Sequence, residues 1–227
     1  MKDDNSLRSL VTAESPLAPI SLRRLIRNYR VLGGSESELL EFKATFQGGT
    51  RQWVSVLREM VGFSNTQGGI IIFGVAADGE LVGCPPRALQ RLDPAVVQDK
   101  LRKYSPGSKL DVNTTSIHYY GKTYVGVQVH QGRRPIIFDH DGNYPDERGE
   151  TRQAFSAGIL YMRSPGKTHP ATQADLDTLL LRVIESRISR LLAKIEQVAK
   201  LPEGSSLVAL SSSKSSRGAL LVGDEQA

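Results

Sequence analysis

The chain has one cysteine, Cys84, in 227 residues. A lone thiol excludes an intramolecular disulfide framework and a multi-cysteine zinc site. No apolar run approaches the ~18–20 residues that a membrane-crossing helix needs, so no membrane partner is expected. The first nineteen residues carry Asp3, Asp4 and Glu14 and lack an unbroken apolar stretch, which is not the pattern of a secretory signal. Cytoplasmic residence is the default that follows. Two catalytic signatures are also missing. There is no G-x-x-x-x-G-K-[ST], which disfavours a Walker-type ATPase, and no G-x-S-x-G elbow of a serine hydrolase. His118, His130 and His169 share no metal-ligand spacing.

What is present is a core and a positive excess. Hydrophobic residues make up 39%, enough for one packed domain rather than a disordered chain. The net charge of +5 points weakly to a polyanionic partner, and its distribution sharpens the hint. Residues 20–31 hold Arg23, Arg24, Arg27 and Arg30 with no acid. A second basic stretch, Arg87, Arg91, Lys100, Arg102, Lys103 and Lys109, faces only Asp93 and Asp99. Residues 139–150 hold five acids and one arginine and read as a solvated insertion. Asp139-His140-Asp141-Gly142-Asn143 opens like a calcium loop, but Tyr144 stands where the loop needs glycine, so an acidic turn is expected.

Periodicity divides the chain. Residues 1–19 read as a flexible segment. Ser21 suits an N-cap for a basic helix within 20–32, with Leu22, Leu25, Ile26 and Tyr29 on one face. Leu39–Phe42 reads as a short strand. Thr50 can cap a helix to about Ser64 with Trp53, Leu57, Met60 and Val61 buried. Ile70–Val75 is the most apolar strand, its unbroken character suggesting cover on both faces. A turn at Ala77–Glu80, a helix opening at Asp93-Pro94, a hairpin of 112–119 with 123–130, and strands at 135–138 and 158–163 follow. Thr172–Lys200 is a long amphipathic helix, packed on its own core or paired with the same helix of another chain. Residues 201–227 form a Ser-rich stretch expected to be disordered.

Five segments carry a resemblance: Glu36-Ser37-Glu38-Leu39-Leu40-Glu41-Phe42-Lys43; Gly62 to Gly69, with Asn65-Thr66-Gln67-Gly68-Gly69 at its end; Ile72-Phe73-Gly74-Val75; Tyr124 to Val129; and Tyr161-Met162-Arg163-Ser164. In this order they resemble the Schlafen AlbA-2 domain family, also called divergent AAA-4 or DNA-binding domain, over 33–170 and a little beyond. The resemblance implies an α/β fold of the α+β type, a mixed sheet with flanking helices, here followed by the long C-terminal helix. It also implies binding of DNA or RNA.

Some members of the family are divalent-metal RNases, and these match Glu36 and Glu41 to two catalytic and metal-holding carboxylates for Mg²⁺ or Mn²⁺. The third carboxylate position of the family falls on Ala76, which cannot bind a metal, so an inactive site is expected. Nucleic-acid contacts are assigned to Lys43, Arg163, Lys167, Arg23, Arg24 and Arg27. Asn65, Thr66, Gly68 and Gly69 are assigned either to the backbone turn or to nucleotide contact; a helix C-terminus is the wrong dipole end for an anion, which favours the turn. Binding without catalysis leads, with a nuclease and an ATP-binding or assembly adaptor as alternatives. Because the family often builds its groove from two lobes, a homodimer is expected.

Overall fold

The computed structural model describes residues 4–13, 15–32, 37–199, 206–209 and 220–223. Glu36 and Gly33-Gly34 lie outside them. Contacts divide the chain into two units, Met1–Leu179 and Leu180–Ala227.

The first unit is built on a four-stranded mixed sheet. β1 (Leu40–Lys43) runs parallel to β2 (Gly69–Phe73), with helix α3 (Thr50–Asn65) as the crossover that parallel strands require. β2 pairs antiparallel with β4 (Lys122–Val129), which closes a hairpin with β3 (Val112–Tyr119), giving the order β1-β2-β4-β3. The hairpin tip is Tyr120-Gly121, with Tyr120 in the left-handed region at φ 47°.

Each face of the sheet has its own core. Ile71, Phe73, Val125 and Val127 face α3, while Ile70, Ile72, Leu40, Phe42 and Tyr124 face α1 (Asp4–Thr12) and α2 (Pro19–Leu32). β2 is buried at every position, which is why its sequence shows no alternation.

α2 buries Leu22, Leu25, Ile26 and Tyr29 as their spacing predicts, and starts at Pro19, so Ser21 lies inside it rather than capping it. α3 starts at Thr50, and Gly49 is its N-cap with no side-chain bond. Residues 1–19 contain a helix instead of a tail: α1 brings Val11 into the core, and Leu17 follows it. α4 (Ala88–Arg91) leads to α5 (Pro94–Arg102), whose N-cap Asp93 accepts from the Ala95 N–H as expected.

The segment 135–138 is extended but makes only a single bridge, Ile137 with Leu160, rather than a strand pair. The acidic stretch carries a small hairpin, β5 (Asn143–Pro145) and β6 (Thr151–Gln153). Its turn is organised by Asp146, which accepts from Arg148 N–H, Glu150 N–H and Arg152 Nε; the Arg152 bond foremost lowers the Asp146 pKa. β7 (Tyr161–Ser164) does not run into an open basic loop. It turns at Pro165-Gly166 into β8 (Lys167–Pro170).

α6 (Gln173–Ala199) opens with Thr172 and Asp175 satisfying each other's backbone N–H, a capping box that also pulls the Asp175 carboxyl below its usual pKa despite partial burial. In the second unit, β9 (Ser206–Ala209) and β10 (Leu220–Gly223) pair antiparallel, so these residues of the expected disordered stretch are strand.

Candidate functional site

β1 alternates. Leu40 and Phe42 enter the α1–α2 core, which sends Glu41 and Lys43 to the α3 side. There Glu41, 7% exposed, accepts from Arg163 Nη2 at 2.6 Å and from Lys43 Nζ at 2.9 Å. Arg163 reaches it from β7 and also donates Nη1 to Glu59 of α3 at 2.9 Å. Its guanidinium lies 4.7 Å from the centre of the Phe63 ring. Thr168 of β8 donates to the same Glu59 oxygen, and Arg58 reaches the other at 3.3 Å.

The result is a buried ionic cluster that ties β1, α3, β7 and β8 together. Arg163 is 3% exposed, so its guanidinium meets carboxylates inside the fold rather than the surface phosphates expected of it from the family resemblance. Sequence reasoning missed Glu59. The one available signal was a carboxylate set into the buried stripe of α3, between Leu57 and Met60.

Asn65, at the end of α3, is fully buried. Its Nδ2 donates to the Ile136 and Tyr161 carbonyls at 2.9 Å each, and its Oδ1 accepts from Ile136 N–H at 2.7 Å. Thr66 Oγ1 accepts from Arg163 N–H. Gly68 takes φ +79° to turn the chain out of the helix, its N–H bonded to the Phe63 carbonyl. Gly69 lies so close to Phe63 that a Cβ would fall 2.1 Å from the ring. All four motif residues therefore have structural work to do.

A family model described as Schlafen, AlbA_2 matches residues 36–171. The chain belongs to the Schlafen AlbA-2 family. No curated protein matches it. Among solved structures, the DIP2311 protein of Corynebacterium diphtheriae is similar with a TM-score of 0.42 and 15% identity, over 68% of this chain and 30% of that one. The N-terminal domain of a RecG-related protein from Nitrosomonas europaea is similar with a TM-score of 0.34 and 17% identity, over 66% of this chain and 92% of that one. The chain thus spans under a third of the first of these relatives.

Of the two carboxylates matched to the family's metal-holding pair, Glu36 lies outside the described residues and Glu41 is already ion-paired. A hard cation takes carboxylate oxygens, and in this structure Glu41 gives one oxygen to Lys43 and the other to Arg163. Ala76 holds the third position, and Asp78 is exposed in the turn, its Oδ1 accepting from Glu80 N–H. Among the described residues no group of three or more His, Cys, Asp and Glu side chains could hold a metal ion. The charges that neutralise Glu41 are the chain's own Lys43 and Arg163.

The exposed cations of this AlbA-2 domain lie elsewhere. Arg23, Arg24 and Arg27 stand on the solvent side of α2, and none is ion-paired among the described residues. The Arg23 guanidinium lies 4.7 Å from the Tyr119 ring centre, and Tyr119 lies 4.4 Å from Tyr120, which is 70% exposed at the hairpin tip. Lys167 is exposed on β8. Cys84 is part-buried, and burial pushes its thiol to about 11, an unreactive state at neutral pH. No helix among the described residues is long and apolar enough to cross a membrane.

Proposed function

We propose that the chain is a nucleic-acid-binding module that holds phosphates at its surface and does not cut them. The observation that carries this is the α2 face: three exposed arginines without an ion pair among the described residues, with Arg23 over Tyr119 and the largely bare Tyr120 next to that ring. Cations on a regular helix spacing meet a phosphate backbone, and an exposed ring offers a stacking surface to an unpaired base. Lys167 adds a further cation from β8. The buried, self-neutralised Glu41 supports binding without cleavage. The reading places the chain in the cytoplasm and needs no ATP.

Anisotropy with single-stranded DNA, duplex DNA and tRNA across a salt series tests it. Binding weakens steeply as salt rises, and Arg23→Ala/Arg24→Ala/Arg27→Ala lowers the slope of log K against log salt by roughly 2–3. Salt-insensitive binding, or none, sinks the reading. No cleavage appears with or without Mn²⁺; cleavage that disappears in Glu41→Ala restores the nuclease alternative. Heat on titrating ATP with Mg²⁺ favours the nucleotide-binding one.

The module acts as a homodimer through α6. Leu181, Ile184, Ile188, Leu191 and Ile195 follow the alternating 3 and 4 spacing of a coiled-coil seam, and each is exposed by at least half. A seam of this regularity is suited to a second copy of itself. Light scattering at micromolar concentration gives a dimer, and Ile188→Glu gives a monomer with unchanged melting of the first unit. A monomeric wild type refutes the dimer.

A further inference from the structure

The Asn65 motif holds more than the end of α3. The segment that follows β4 is fastened to it at both ends. Gly132 N–H bonds the Ser64 carbonyl at 2.8 Å, Gln131 Nε2 donates to the Thr66 carbonyl, and Ile136 is gripped through both its N–H and its carbonyl by Asn65. Gly132 lies so close to α3 that a Cβ would meet Ser64 Oγ at 2.7 Å. Between these anchors stand Arg133 and Arg134, both exposed and neither ion-paired among the described residues. They line a cleft of about 680 Å³, which Lys109 enters from the turn before β3. Asp111 is the one acid in the lining, against three bases.

Two adjacent arginines repel each other, and a loop that only had to join β4 to Ile136 would gain nothing from them. Fixing the backbone of such a loop with hydrogen bonds at both ends, those to Asn65 buried, lowers the ordering cost that a ligand would otherwise meet. The guanidinium fork suits phosphate oxygens, and the ammonium of Lys109 adds a point charge.

We propose that this cleft is a preorganised phosphate site that takes the backbone of the bound nucleic acid, a second contact point apart from the α2 arginines. The proposal rests on the nucleic-acid reading above. Its signature is a change in salt dependence with no change in fold, because all three cations are exposed.

The experiment compares the full chain with Lys109→Ala/Arg133→Ala/Arg134→Ala by anisotropy against labelled single-stranded and duplex oligonucleotides across a salt series, beside thermal melting. The triple variant lowers the slope of log K against log salt by roughly 2–3 at an unchanged melting temperature. Arg133→Lys/Arg134→Lys keeps the slope. If the wild type binds and the triple variant shows the same slope, the cleft proposal fails and the nucleic-acid reading stands. If the wild type binds no nucleic acid, that reading fails. Calorimetry with inorganic phosphate then decides the cleft: heat that the triple variant loses keeps it as a site for free phosphate, and no heat overturns it.

Discussion

Arg163→Ala lowers the stability of the domain by about 3–5 kcal/mol, because removing one partner of a buried ionic set strands the others. Glu41 and Glu59 are 7% and 5% exposed, and Arg163 is the cation that both share. Lys43 and Arg58 each reach only one of the two carboxylates, from more exposed positions. For a domain of this size the loss reads as a melting-temperature drop of roughly 6–20 °C. Arg163→Lys is intermediate, since one ammonium cannot reproduce the two-pronged contact. Replacing the set together, as Arg163→Met/Glu41→Leu/Glu59→Met, recovers part of the loss, because no fully buried charge is left stranded, while the more exposed Lys43 and Arg58 lose their carboxylates. A melting temperature within about 2 °C of wild type for Arg163→Ala removes the structural account. If nucleic-acid binding collapses at the same time, Arg163 is a contact residue after all.

This cluster also shows what sequence can and cannot reveal. That Glu41 leaves the apolar face of β1 is legible from its alternation with Leu40 and Phe42. That it meets Arg163 is not, because the two are 122 positions apart and Arg163 and Glu59 are 104 apart. An arginine near the end of a strand looks the same whether the following residues are open loop or a hairpin folded back on α3. Tyr161, Met162 and Arg163 are all buried, so no alternation marked which side chain faced inward. The AlbA-2 motifs gave the family and the fold class, while the inward turn of the late arginine required the packing of β7 and β8.

Elements that owe their form to local pattern were readable. β2 announced itself by unbroken apolar character, α2 by its 3-and-4 spacing, and α5 by Asp93-Pro94. α1 was not, because a helix this short is marginal alone and its order comes from tertiary contact. Buried Gln128 of β4 donates to the Leu10 and Ala13 carbonyls at 2.8 and 3.1 Å, satisfying the helix end from the sheet face it packs on. The segment 135–138 was half legible. Ile136 and Phe138 are buried with Ile137 out between them, as alternation demands, but no neighbouring strand pairs along it.

The second large effect is expected at Asn65. Asn65→Leu keeps the volume and removes every polar contact of the side chain. Three backbone groups, the Ile136 N–H and carbonyl and the Tyr161 carbonyl, then lose their partner inside the fold. Each unsatisfied group costs about 1–3 kcal/mol, so the total is about 3–9 kcal/mol. Thr66→Ala, which removes one acceptor for Arg163 N–H, costs only about 1 kcal/mol. The two differ in kind as well. Among the described residues Ile136 N–H is held by Asn65 alone, so Asn65→Leu exposes the 131–136 segment to amide exchange before the sheet opens, whereas in Thr66→Ala that segment stays protected. Asn65→Asp keeps an acceptor for the Ile136 N–H yet sets a charge against the Ile136 and Tyr161 carbonyls, and is no milder. Should Asn65→Leu melt within about 3 °C of wild type with exchange at Ile136 unchanged, the side chain is not the anchor of that segment, and the argument that the family's Asn-Thr-x-Gly-Gly motif serves to hold the arginine loop goes with it.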